Sequence, residues 1–355
     1  MFAGEDRAPS VAYLIDPRMP GGTSSAVAHE LRVVSELVRP RVIGLHSRMF
    51  KGDGVAPQLR EVLDELQIEL EVNPKTISAD IVILQNPAFL KFQDNLGLRI
   101  LCRQLFVVTH ENFLRPDGTQ AYDVAKTLRA IDEATVAFTK TLAPISAYNR
   151  RTVTDWIASH PAMPNWSIIE EPWFNICDFE MVEPTTTPQD RRGRLSRPGF
   201  EKFPQLRELE ACFPKHAERN LLLGADTLLD LAEEYPHWDI VKFRGLEVDD
   251  FFDQIDFMVY FTSPTWRESF GRVLAEAIAA GKVVISDPET AATFDGAVIG
   301  ASPADVDGLV AGFVAQPELF VEHVGKSQRL LDKYSPDSFR TFFRNHILDR
   351  ALVHG

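Results

Sequence analysis

Cysteine is scarce in this chain: Cys102, Cys177 and Cys212 are the only three among 355 residues. An odd number with no C-x-x-C spacing excludes a disulfide framework and a zinc knuckle, and reads as reduced thiols. No apolar run approaches the length of about 18 residues that a membrane-spanning helix needs. The opening MFAGEDRAPS has early acids and no apolar segment, so no signal peptide is expected. No low-complexity tract stands out, nor any internal repeat. Positive charge is also short: 37 Lys and Arg against 51 Asp and Glu leave a net charge of −14. That balance argues against a general nucleic-acid binder, whose surface must be basic. The fingerprint G-x-G-x-x-G is missing, which disfavours a dinucleotide-dependent dehydrogenase. A cytoplasmic location is expected.

What the chain does contain is ordinary for a globular protein, with 45% apolar and 25% charged residues. Its length predicts two domains. Short apolar runs alternate with amphipathic stretches, the pattern of a mostly parallel α/β sheet. Strands are predicted at 11–15, 41–45, 79–84, 105–109, 135–138, 142–146 and 167–170. Helices are expected at 24–38, 58–72, 122–134 and 148–159, the first capped by Thr23 or Ser24. Residues 180–190 are rich in Pro and Thr and read as a linker. Strands then follow at 220–223, 240–243, 258–261 and 283–285. Helices are expected at 248–254, 303–315 and 318–334.

The most informative stretch is 261–287, FTSPTWRESFGRVLAEAIAAGKVVISD. Apolar positions at Phe270, Val273, Leu274, Ala277 and Ile278 have helical spacing, with a strand on either side. Glu268 precedes the helix and Glu276 lies inside it. Eight residues at helical rise span roughly 12 Å, the reach from a ribose across a diphosphate to a sugar. Ser269, Phe270 and Gly271 lie at the helix start, where free N–H groups and the helix dipole favour a phosphate. Gly271 has no Cβ to block the approach. Near the N-terminus a second device stands out: a strand, the loop Gly21-Gly22, then a helix. Residues 192–202 add Arg192, Arg194, Arg197 and Lys202, the fixed cations that a nucleotide diphosphate requires. His110, followed by Glu111 and Asn112, ends a predicted strand, where parallel sheets present ligand-binding groups.

The segment E-S-F-G-x-x-x-x-E-A-x-A-x-G-K-x-V-I resembles the E-x7-E signature of retaining, nucleotide-sugar-dependent glycosyltransferases of the GT-B fold, family 4 in particular. Gly21-Gly22, His110, the Gly193-Arg194 to Glu201-Lys202 segment and Gly245 resemble further motifs of that family. Pro-Asn-Gly-Val-Asp, usual at the domain crossover, is replaced by a run containing Pro172-Trp173-Phe174. The resemblance implies two Rossmann-like, doubly wound parallel-sheet α/β domains facing a cleft. They would comprise residues 1–175 and 191–334, joined by a linker at 176–190, with a helix in 335–355 crossing back to the first domain.

It also implies roles. Glu276 would accept from ribose hydroxyls and Glu268 from sugar hydroxyls. His110 would lie near the donor sugar, and Gly245 near the base. Lys202, with either Arg194 or Arg197, would clamp the diphosphate together with the Ser269–Gly271 backbone. No Asp-x-Asp stands in a plausible metal loop, and no cofactor is expected beyond the co-substrate, a UDP- or GDP-sugar. The implied activity is metal-independent, retaining hexosyl transfer to a glycan or lipid-linked acceptor in polysaccharide or glycoconjugate synthesis. Arg32, Arg39, Arg41, Arg48 and Lys51 form a local basic excess that suits peripheral contact with the inner face of an anionic membrane. Rival readings are a nucleotide-sugar epimerase of the same fold and a non-catalytic scaffold.

Overall fold

The structure is a computed structural model that describes residues 8–161, 163 and 166–349. The reading of the N-terminus falls largely on residues 1–7, and the end of the expected tail helix on 350–355; both lie outside the described residues. The chain divides into two compact units, residues 1–176 with 334–355, and residues 177–333.

Elements of the first unit are β1 (Val11–Ile15), α1 (Gly22–Ser35), β2 (Arg41–Gly44), α2 (Pro57–Glu65), β3 (Leu70–Val72), β4 (Thr76–Gln85) and β5 (Arg99–Thr109). They continue with α3 (Val124–Ala134), β6 (Thr135–Val136), β7 (Thr139–Pro144), α4 (Ala147–Ser159) and β8 (Trp166–Ile168). The second unit holds β9 (Arg191–Leu195), α5 (Leu206–Cys212), β10 (Arg219–Leu223), β11 (Asp239–Val241), α6 (Val248–Asp253) and β12 (Phe257–Tyr260). It also holds α7 (Arg272–Ala279), β13 (Val283–Ser286), α8 (Pro288–Ala291), β14 (Ile299–Gly300), α9 (Val306–Ala315) and α10 (Pro317–Leu330). The last helix, α11 (Pro336–Phe343), returns to the first unit.

The first sheet runs β3-β2-β1-β4-β5-β7-β8, with β6 on β5; the second runs β11-β10-β9-β12-β13-β14. All strand pairings in both are parallel. The two-domain, parallel α/β reading of the sequence therefore holds. Central strands such as VAYLI of β1 are wholly buried, as strands covered by helices on both faces must be. Trp156, Phe113 and Phe89 anchor the first core. Phe257, Phe213 and Phe320 anchor the second.

Three local expectations change. The helix expected over 58–72 stops at Glu65; Gln67 takes φ 52°, and Leu70–Val72 pairs with β2 as a strand. Strand pairing with a segment far away in sequence outweighs the local helical pattern. The first helix begins at Gly22, with Gly21 at its cap position at φ 77°, so Thr23 and Ser24 lie inside it. Ser24 Oγ instead donates to the carbonyl of Met19. Phe270, counted in the helical apolar spacing, lies just before the helix, which begins at Arg272 after Gly271 turns left-handed at φ 88°.

The segment read as a linker lies against the second unit. Val182 N–H donates to the Ala279 carbonyl at 2.8 Å, and Gln328 Nε2 donates to the Val182 carbonyl at 2.8 Å. Trp173 and Phe174, at the crossover, are held in the first unit. Phe339, Phe342 and Phe343 of α11 surround the Trp173 ring edge-on at 5.5–6.4 Å between centres. Among the described residues, no helix is long and apolar enough to cross a membrane.

Candidate functional site

In each sheet the strand order reverses once, between β1 and β4 and again between β9 and β12. Loops leaving those neighbouring strands diverge, and the crevice at their carboxyl ends is where open parallel sheets bind ligands. In the second unit the two loops are 196–205 and 261–271. Ser263 N–H donates to the Glu201 carbonyl at 3.1 Å and ties them together.

Lys202 and Glu268 meet there. Lys202 Nζ lies 2.7 Å from Glu268 Oε1, with the two side chains only 8% and 15% exposed. The same Oε1 accepts the phenolic hydrogen of Tyr260, at the end of β12. Trp266 lies against the ammonium, 3.7 Å from ring centre to Nζ. Burial lowers the Lys202 pKa, and Glu268 opposes that shift. The phenol of Tyr260 is pushed well above its usual range, first by burial and then by the Glu268 charge.

Arg194 and Arg197 have different surroundings. Arg194 is fully buried on β9, its guanidinium 4.2 Å from the Phe203 ring centre and 4.5 Å from that of Tyr260. It donates to the Phe261 carbonyl at 3.0 Å and to Ser196 Oγ at 3.2 Å, while its Nε has no partner among the described residues. Burial lowers its pKa. Arg197 is exposed and pairs with Glu201 at 2.9 Å. Arg192 is buried against Asp190 at 2.6 Å and Asp307 at 2.7 Å. Asp190, His216 and Asp307 present ligand atoms within 4.8 Å of one another. Both carboxylates already have protein partners: Arg192 bridges them, and His216 Nε2 lies 2.8 Å from Asp307 Oδ1.

Around α7, Phe270 is buried edge-on against Phe294 at 5.5 Å, which fixes the chain entering the helix. Ser269 is half-buried and Gly271 buried. Glu276 pairs with Arg272 at 3.3 Å, and the Arg272 guanidinium lies over Phe179, 4.7 Å from the ring centre. Burial raises the Glu276 pKa despite Arg272. Gly245 closes the turn after β11 and lines a cavity of about 510 Å³ with Trp238, Ile240, Leu246 and Gln254. A Cβ there would meet the Lys242 carbonyl at 2.9 Å.

In the first unit, Gly21 and Gly22 are exposed, and a Cβ added to either meets nothing within 4 Å. Just past them Thr23 Oγ1 accepts from Asn86 Nδ2 at 3.1 Å, so the loops after β1 and β4 meet at the start of α1. His110 Nε2 lies 2.7 Å from Gln85 Oε1. Gln85 Nε2 donates to Glu30 Oε2 at 2.7 Å, and Trp173 Nε1 donates to Glu30 Oε1 at 2.8 Å. Glu30, Gln85 and Trp173 are all wholly buried. Burial pushes the Glu30 carboxyl up to about 8, against its hydrogen bonds, and pushes the His110 imidazole down to about 3. Asn112 accepts from Asn149 of α4 at 3.0 Å, and the Glu111 carbonyl accepts from the same amide at 3.3 Å.

The structure thus joins Lys202 to Glu268 within one unit, and His110 to Gln85 and Glu30 within the other. Sequence reading passed over Tyr260, Trp266, Glu30 and Gln85, and singled out Trp173 only as a departure at the crossover. One signal was available: Glu30 stands on the apolar face of α1, between Val27, Leu31 and Val34, where a charge is costly unless it has partners. Of the five basic residues of the N-terminal excess, Arg32, Arg41 and Arg48 each face a nearby carboxylate, of Glu65, Glu71 and Asp94.

No family model matches the chain, and no curated protein does. Solved structures do share its fold. Anabaena Alr3699/HepE, crystallised with UDP and glucose, aligns with a TM-score of 0.65 at 13% identity over 95% of this chain and 98% of its own. A Rickettsia africae glycosyltransferase aligns at 0.59 with 14% identity, over 98% of this chain and 99% of its own. An α-glucosyltransferase in complex with UDP aligns at 0.58 with 9% identity, over 96% and 100%. At these identities the likeness is one of fold, the GT-B arrangement of two parallel-sheet α/β domains.

Proposed function

We propose that this protein is a glycosyltransferase that takes its sugar from a nucleotide-diphosphate donor. The Lys202–Glu268 pair at the switch point of the second sheet, beside the start of α7, carries this reading. The demanding step in such a transfer is departure of the diphosphate, which gains negative charge as the glycosidic bond breaks. A fixed cation and backbone N–H groups already in place stabilise that charge without reorganising. Lys202 and the N–H groups of Ser269, Phe270 and Gly271 fill that role here. Arg197 is exposed and would exchange Glu201 for the diphosphate, while the buried Arg194 braces the loop through the Phe261 carbonyl and Ser196. A diphosphate arriving at Lys202 competes with Glu268, releasing that carboxylate to accept from sugar hydroxyls. Glu276 accepts from the ribose hydroxyls.

UDP is the base carrier of first choice, supported by the complexes of the structural neighbours with UDP. Among the described residues no side chain stands out as a covalent nucleophile, so we assign retention of configuration to attack on the face from which the diphosphate leaves. We assign the diphosphate to Lys202, Arg197 and backbone N–H groups and assign no metal. The proposed acceptor is a glycan or a lipid-linked acceptor. Thermal melts with UDP-glucose, GDP-mannose and ADP-glucose test the reading, since a ligand bound to the native state raises the melting temperature by mass action. A rise with the UDP-sugar is expected. No rise with any sugar nucleotide would sink the proposal. In an active preparation Glu276→Ala raises the donor KM; unchanged kinetics remove the ribose role.

A further inference from the structure

Glu30, Gln85 and His110 form an unbroken hydrogen-bonded line from the interior of α1 to the end of β5. Its links are 2.7 Å from Glu30 Oε2 to Gln85 and 2.7 Å from Gln85 to His110 Nε2. Trp173 closes the inner end, holding Glu30 Oε1 at 2.8 Å. We propose that Glu30 and Gln85 are positioning residues that set which ring nitrogen of His110 carries its proton.

An ionised Glu30 can only accept, so Gln85 turns its NH2 toward Oε2 and its carbonyl toward the imidazole. His110 Nε2 must then carry the hydrogen, and Nδ1 keeps a lone pair. A protonated Glu30 places its O–H on Oε2, because Oε1 is held by the Trp173 indole. Two acceptors are near that O–H, the Tyr13 hydroxyl and Gln85; we assign it to Gln85, whose amide turns over so that its NH2 faces Nε2. The hydrogen of His110 then sits on Nδ1. Oxygen and nitrogen of an amide are nearly the same size, so the turn needs no extra room. The proton lost by Glu30 goes to solvent, and solvent exchange moves the hydrogen between the ring nitrogens.

The neighbours leave Glu30 as the group that titrates. Tyr13 of β1 lies beside it, with a phenol raised well above its usual range by burial and by the Glu30 charge. The groups acting on Glu30 are Trp173, Gln85 and Tyr13, none of them a cation. The His110 ring, pushed down to about 3, stays neutral throughout. Glu30 changes charge at about 8. Through Nδ1, His110 therefore offers a hydrogen below that point and a lone pair above it. Only the meaning of this for sugar transfer rests on the function proposed above; the tautomer belongs to the free protein.

The test uses full-length protein labelled with 15N-histidine and no added ligand. Long-range 1H–15N correlations report the tautomer of each ring, and His110→Gln assigns the resonance. Wild type is expected to carry the His110 proton on Nδ1 at about pH 6 and on Nε2 at about pH 10. Glu30→Gln, whose amide donates to Gln85 as the protonated acid does, is expected to stay on Nδ1 at both. Gln85→Leu, which removes only the middle link, is expected to abolish the switch. An unchanged tautomer in wild type, or a switch that survives in either variant, overturns the proposal.

Discussion

Lys202 and Glu268 are nearly out of water, packed with Tyr260 and Trp266 and within electrostatic reach of Arg194. Removing one member of a buried ion pair strands the other, which costs on the order of 3 kcal/mol. Lys202→Met should therefore lower stability by about that amount in urea melts. Lys202→Met combined with Glu268→Gln removes both members of the pair and should recover part of the loss, the remainder reflecting the buried Arg194, which loses the nearby Glu268 charge. If Lys202 also binds the diphosphate, that double variant remains weak toward UDP-glucose in calorimetry. Binding that returns with stability would make the pair merely structural. Glu30 makes a second prediction, this time on pH. Its folded pKa of about 8 lies above the ordinary carboxyl value, so the folded chain binds the extra proton. Its contribution is then fully present below about pH 4 and is lost as pH rises to about 8, at ~1.4 kcal/mol per unit. Relative to Glu30→Gln, wild type should lose a few kcal/mol across that window. Parallel stability curves for the two proteins would contradict the assignment.

At the scale of elements, close approach at the ends of β9 and β10 decides whether loop 196–205 can carry Lys202. Gly224 ends β10 at φ 77°, and a Cβ there would fall 1.8 Å from the Ser196 carbonyl. Gly224→Ala must therefore push Ser196 away and shift the loop. It should cost more than about 2 kcal/mol and weaken UDP-glucose binding, readable by denaturation and calorimetry. The return of α11 makes a separate prediction. Truncation before Tyr334 strips Phe339, Phe342 and Phe343 from Trp173 and uncovers the Glu30 end of the line. Loss of amide protection across α1, β1 and β4 in hydrogen exchange is the expected result.

The same scale shows what could be read from the sequence. The alternation of strand and helix was legible because apolar period is a local property, and the parallel sheets followed from it. The strand β3 was not, because Leu70–Val72 belongs to a sheet only through its pairing with β2. The left-handed turn at Gly271 shortened α7 by a conformation that spacing alone does not reveal. The surroundings of Arg194 were hidden for a similar reason. Its aromatic walls, Phe203 and Tyr260, come from separate segments, so a cation that reads as free in sequence is sandwiched in the fold. Lys202 and Glu268, 66 residues apart, meet only because the strand order reverses between β9 and β12.

For the whole molecule, the informative quantity is where binding energy lands. The chain carries a net charge of −14, so an anionic nucleotide meets long-range repulsion and has to be held by local cations and backbone N–H groups. Those of the candidate site, Arg197 and Lys202, lie in the unit of residues 177–333. Long-range repulsion weakens as salt shortens the screening length, to about 8 Å at physiological ionic strength, while a desolvated contact at Lys202 is screened far less. Affinity for UDP-glucose should therefore fall only slightly, or even rise, between low and physiological salt. A basic-surface binder would instead lose affinity steeply. Hydrogen exchange on the full chain locates the contact. Saturating UDP is expected to protect 196–203 and 268–276 first, because the proposed diphosphate contacts lie there. Protection confined to residues 8–176 would place the nucleotide on the other sheet and remove Lys202 and Glu276 from the mechanism.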